Sequence, residues 1–321
     1  MRKIVVQAVI IVCCAVTFFA TVQLPWEYGH GSLVQVFAQD AVLRTDTKGV
    51  AGNAPGVSQA RNAVAISKDG VLIAYSVYGQ GEPTLVFVHG WSCDRSFWQK
   101  QIPYFANRYR VVTLDLAGHG ASGTQRNVYS MEAFGQDVAA VVKAVQATRA
   151  ILIGHSMGGA VIIAAGEIIP ENASALVGID TMQDFAEEYT PAQTEEFLKP
   201  FRDDFQKATD GFVRNMFLKD ADPQLVNDIV AKMSGASAEV GISAMEEMLK
   251  ASYVKAPPKI TMPIWCLNAE LWPTKPEVNR KFVPEFNLRL MPGVGHFLML
   301  ESPDEFNKQL DEILKEIVAR K

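Results

Sequence analysis

Ser156 stands at the centre of Gly154-His155-Ser156-Met157-Gly158, directly after the apolar run Ala150-Ile151-Leu152-Ile153 and ahead of a small-residue, apolar stretch. The order reads as a strand, a sharp turn and a helix. Its glycines have a physical task, because such a turn brings backbone against backbone and leaves no room for larger side chains. A serine at the apex is held out in a strained position, where its hydroxyl can attack a carbonyl once a base accepts its proton. His296 is the histidine placed to be that base. It sits in the Gly-rich Pro292-Gly293-Val294-Gly295-His296-Phe297, after the strand-like Phe286–Met291. The chain order of glycine turn, serine and late histidine is one of three unrelated solutions to serine catalysis.

The elements that position these groups are legible as periods. Ala63 to Ser67 and Val71 to Val77, joined by Lys68-Asp69-Gly70, predict an antiparallel hairpin. Thr84–Val88 is a continuous apolar run, as expected of a strand covered on both faces, and it ends in His89-Gly90-Trp91. Strand and helix patterns then alternate: a short helix over 97–109, a strand over 110–115, and a helix over 131–147 with Phe134, Val138, Val141, Val142 and Val145 on one face. The helix opened by Ser156 stops at Pro170, and 175–180 predicts another buried strand. Such alternation points to an α/β fold with a mostly parallel sheet and helices on both faces. From about 181 to 256 the strand signal disappears. There 191–217, 223–233 and 240–249 read as helices, an insertion placed to form a lid over the sheet's C-terminal edge. The sheet resumes at 260–267, and Ser302, Pro303 and Glu305 form a capping signature before the apolar stripe of a closing helix.

With 321 residues, 49% apolar and 20% charged, the chain can bury a large core. A net charge of -5 with no basic block argues against nucleic acid and against an anionic membrane surface as partners. Residues 1–38 differ from the rest: Arg2 and Lys3 precede an apolar run from Ile4 to Ala20, which predicts a signal peptide or an N-terminal membrane anchor. The body is then exported, whether periplasmic, secreted or anchored to the outer face of the cytoplasmic membrane. Residues 39–61 read as a flexible tether. Cys93 and Cys266 are expected as separate buried thiols rather than a disulfide. No C-x-x-C motif or His/Cys cluster points to a metal, and no cofactor is expected.

The serine elbow, His89-Gly90-Trp91, the loop from Asp115 to Gly123, the helical insertion and Gly295-His296-Phe297 together resemble the α/β-hydrolase superfamily, in its lidded serine esterase-like branch. The resemblance implies an α/β-hydrolase domain over 62–321. It implies an oxyanion hole made by the backbone amides of Met157 and Trp91, with Ser92 as a further hydroxyl. His89 would orient backbone there, while His119 and His155 read as structural. The third member of the triad departs from the pattern, since the usual aspartate, nine residues after Pro263, falls on Trp272. Glu270, directly after a predicted strand, is the first candidate for the acid. Asp180, at the end of the preceding strand, is the second, and Asp184 stands behind both. The implied activity is cleavage of carboxylic esters through an acyl-enzyme on Ser156, with a medium-sized, small-molecule ester or lactone as substrate. Alternatives are a cofactor-free haloperoxidase-like, lactonase or amidase activity, or a non-catalytic small-molecule binding protein.

Overall fold

The computed structural model describes residues 60–320. The expected leader, 1–38, lies outside them. So does the tether expected over 39–61, except its last two residues, of which Arg61 opens the first strand. The strands are β1 (Arg61–Ile66), β2 (Leu72–Tyr78), β3 (Thr84–Val88), β4 (Arg110–Leu114), β5 (Ala150–His155), β6 (Ala173–Ile179), β7 (Ile264–Ala269) and β8 (Phe286–Met291). They form one sheet in the order β1-β2-β4-β3-β5-β6-β7-β8. The β1–β2 and β2–β4 pairs are antiparallel, and every pair from β4 to β8 is parallel. β3, β5 and β7 are buried at every position. Strands of this kind carry unbroken apolar runs because helices cover both faces of the sheet.

The helices are α1 (Ile102–Phe105), α2 (Met131–Ala144), α3 (Met157–Ile168), α4 (Pro191–Asp203), α5 (Phe205–Arg214), α6 (Pro223–Ser234), α7 (Ala238–Lys250), α8 (Pro276–Asn279), α9 (Leu298–Glu301) and α10 (Pro303–Ala319). Three differ from the sequence expectation. The segment 97–109 is a 3-10 turn over Arg95–Trp98 followed by the short α1, with Pro103 in the first turn of α1. The single helix expected over 191–217 breaks at Asp204, whose extended backbone (φ -156°, ψ 91°) ends α4 and whose carboxylate accepts from Lys207 N to cap α5. Ser302 makes no side-chain cap on α10, because α9 already occupies the residues before it.

Four helices, α4 to α7, fill the connection between β6 and β7. Their inward faces include Leu198, Phe201, Phe205, Val213, Val230 and Met245, all buried. Contacts to the His-Gly turn anchor them: Trp91 Nε1 donates to Gly241 O at 2.7 Å, and Lys232 pairs with Asp94 at 2.9 Å. The Trp91 ring also lies 5.6–5.8 Å from the rings of Phe201, Phe205 and Phe212. Among the described residues no helix is long and apolar enough to cross a membrane. Cys93 and Cys266 are both buried and free.

Candidate active site

Ser156 links β5 to α3 with φ 54° and ψ -120°, in a region that L-residues rarely occupy. The flanking glycines have no alternative. A Cβ on Gly154 would lie 2.2 Å from Gly158 O, and one on Gly158 would lie 2.8 Å from both His89 O and Val88 O. Ser156 occupies the N-cap of α3, where a serine ordinarily accepts a bond from the first turn. Here its side chain makes no such bond, which leaves the hydroxyl free for chemistry. The main chain is fixed instead, by Ser156 N to Ile179 O at 3.0 Å and by Thr181 Oγ1 donating to Ser156 O at 2.8 Å.

Sheet register decides the neighbour. His155 pairs with Ile179, so the residues that follow, Ser156 and Asp180, leave adjacent strands side by side. Asp180 is buried, also at positive φ (43°), and accepts His296 Nδ1 on Oδ2 at 2.6 Å. Its Oδ1 accepts Ala269 N, at the end of β7, at 2.9 Å. The end of β7 therefore serves the carboxylate rather than supplying it. This corrects the preference for Glu270: that side chain is exposed just past β7, and His296 Nδ1 is already held by Asp180. Trp272, where the usual aspartate would fall, packs edge-on against His296 with ring centroids 5.1 Å apart. Asp184 pairs with Lys275 at 2.6 Å and is not the histidine's partner.

His296 comes from the loop after β8, and three contacts fix that loop. His296 N donates to Met216 O at 2.8 Å, and His155 Nε2 donates to His296 O at 2.9 Å. The third is Glu301, whose two oxygens accept Gly295 N and Phe297 N, each at 2.9 Å, so that one carboxylate brackets the histidine. Sequence reasoning missed Glu301. Its signal was a lone acid closing the apolar Phe297-Leu298-Met299-Leu300.

Among the described residues the amides of Met157 and Trp91 donate to no protein acceptor. Met157 N opens α3, where the helix dipole favours negative charge. Trp91 N is set by the preceding turn: Leu116 N donates to His89 Nε2 at 3.0 Å, so the proton sits on Nδ1, which donates to Gly90 O at 2.8 Å. Burial holds His89 down to about 4 and His119 down to about 3, so both stay neutral. Burial also pushes His155 well below the ordinary range, with the nearby His296 adding to the effect. Ser92 Oγ is buried without a hydrogen-bond partner. Ser156, Met157, Asp180, Trp272 and His296 line one cavity of about 290 Å³. Among the described residues no cluster of three or more His, Cys, Asp or Glu could hold a metal.

Most of the described chain is similar to known proteins. The chain is 27% identical over 254 residues to 3-oxoadipate enol-lactonase 2 of Acinetobacter baylyi, covering 76% of this chain and 94% of that protein. It is 20% identical over 244 residues to the Karrikin insensitive 2 receptor CA of Petunia hybrida, covering 71% and 90%. In structure it is similar to a thermophilic esterase from Thermogutta terrifontis, with a TM-score of 0.69 at 21% identity over 81% of this chain and 99% of the other. The model of the alpha/beta hydrolase family matches residues 85–309. Since that match runs from within β3 into α10 and covers well over half of the chain, the chain belongs to the alpha/beta hydrolase family.

Proposed function

We propose that this protein is a serine hydrolase that cleaves carboxylic esters through an acyl-enzyme on Ser156. The observation that carries the reading is the junction of β5, β6 and the β8 loop: a strained, uncapped serine shares one cavity with a histidine whose Nδ1 is held by a buried carboxylate at 2.6 Å. Ser156 Oγ attacks the carbonyl carbon as its proton passes to His296 Nε2. The oxyanion forms against Met157 N–H and Trp91 N–H, donors that need no reorganisation. Asp180 keeps the proton on Nδ1 and stabilises the imidazolium. The tetrahedral intermediate collapses, breaking the bond to the alkoxide, which takes the Nε2 proton and leaves as an alcohol. Water then gives a proton to Nε2, attacks the acyl carbon and releases a carboxylic acid with Ser156 restored. A lactone is a cyclic ester, so the name of the enol-lactonase relative belongs to the same chemistry.

A fluorophosphonate probe and an acetyl ester assay test this together. Wild type is expected to take the label on Ser156 and to turn the ester over. Ser156→Ala should abolish labelling and lower kcat by about 10⁵–10⁶-fold. Folded wild type that neither labels nor hydrolyses, yet binds a small lactone, would replace the proposal with a receptor role.

A further inference from the structure

We propose that the site sorts an acyclic ester into a short acyl group and a larger alcohol that is uncharged or cationic. The inference rests on ester hydrolysis at Ser156 and names the substrate class for it. Two cavities share Ser156, His296, Phe212, Met216 and Met248. One has about 290 Å³ and the other about 50 Å³. The smaller volume is only a few times the about 10–15 Å³ that a single water needs, so it suits a short chain and not a long one.

Exposure decides which half of the substrate goes where. The smaller cavity reaches the His-Gly turn and ends among Trp91, Cys93, Met233, Met245 and Phe297, all buried. The larger is bordered by Glu187 and Tyr189, which are exposed, and so has a route to solvent. In the first half-reaction the alcohol must depart while the acyl group stays on Ser156. The larger cavity gives that exit, and the smaller, more buried one holds what remains. An acyclic ester can extend both ways from its carbonyl, whereas the ring of a small lactone keeps the two halves on one side.

Charge narrows the alcohol further. No lysine or arginine lines either cavity, while Asp184 and Glu187 line the larger one. Lys275, the cation paired with Asp184 at 2.6 Å, is already engaged there. An anionic alcohol would meet a carboxylate with no free cation along the lining. The apolar end of the smaller cavity, with Met233 and Met245, has no partner for any charged acyl group.

The test is kcat/KM for 2-naphthyl acetate, butanoate and octanoate and for the acetate of a naphthol carrying a sulfonate, in wild type, Met245→Ala and Met233→Ala. Wild type is expected to favour acetate and butanoate over octanoate by at least about tenfold, and to disfavour the sulfonated ester by a similar factor. Each methionine truncation should raise octanoate relative to acetate by at least about tenfold. Octanoate turned over as well as acetate by wild type, with Ser156 labelled by the fluorophosphonate, would overturn the sorting and leave ester hydrolysis standing. No ester turned over and no label would remove both. The wild-type series decides by itself if a truncated variant does not fold.

Discussion

Asp180 and Glu270 are both carboxylates at the end of a parallel strand, and one lattice position separates their fates. Asp180 leaves β6 beside Ser156, is buried, and receives two hydrogen bonds, one from His296 and one from Ala269. Glu270 leaves β7 into solvent. In the proposed mechanism, charge on Asp180 fixes the tautomer and offsets the imidazolium, and an amide of the same shape cannot supply it. Asp180→Asn is therefore expected to lower kcat on an acetyl ester by about 10⁴-fold. Glu270→Gln should stay within about twofold of wild type, as a surface change does. A reversed pattern in steady-state kinetics would return the role to Glu270.

At the scale of elements, the elbow and the helical insertion are built by opposite uses of glycine. In the elbow, Gly154 lets the end of β5 touch the start of α3, and an added Cβ would meet the Gly158 carbonyl carbon at 2.5 Å as well as its oxygen. Backbone on both sides cannot yield without opening the turn. In α5, Gly211 has nothing within 4 Å of such an atom and no positive φ, so it only gives the helix needless freedom. Gly154→Ala should thus destabilise by about 2 kcal/mol or more, with loss of labelling at Ser156. Gly211→Ala should stabilise by about 0.5–1 kcal/mol with activity unchanged. Urea unfolding of both variants, read beside the ester assay, checks the opposite signs.

At the scale of the whole fold, three of the described histidines are buried and held neutral. His89 is held down to about 4, His119 to about 3 and His155 well below the ordinary range, chiefly by burial. In the unfolded chain each takes up a proton near 6.5. Below that pH the unfolded state binds more protons than the native state, so stability falls as pH falls from about 6.5 toward 4. Burial pushes Asp137 and Glu301 up, and these act in the opposite sense. The melting temperature is expected to be level between pH 7 and 8 and to drop steadily from pH 6.5 to 5. His119→Asn should make that slope shallower by up to about one proton. An unchanged slope would show that His119 does not take part.

The sequence alone determined the parts that depend on neighbours along the chain. Gly154 and Gly158 around Ser156 announced the elbow because close backbone contact within five residues needs glycine. The apolar run at Thr84–Val88 announced a doubly covered strand, since burial of both faces removes alternation. His296 was found because it is the one histidine that follows Ser156 in the chain, in a glycine-bearing loop after a strand. Local signals were weaker where a break depends on one polar residue, as at Asp204, or where a short helix such as α9 competes for Ser302. Which carboxylate meets His296 came from the tertiary structure alone. Counting along the chain falls on Trp272 and leaves Glu270, just after a predicted strand, as the first candidate, but strand order and register set Asp180 beside Ser156, and His296 reaches it across 116 residues of chain. The bracketing of His296 by Glu301 and the two unequal cavities that share Ser156 have the same origin. They are made of groups far apart in sequence, and no spacing rule records which of those meet.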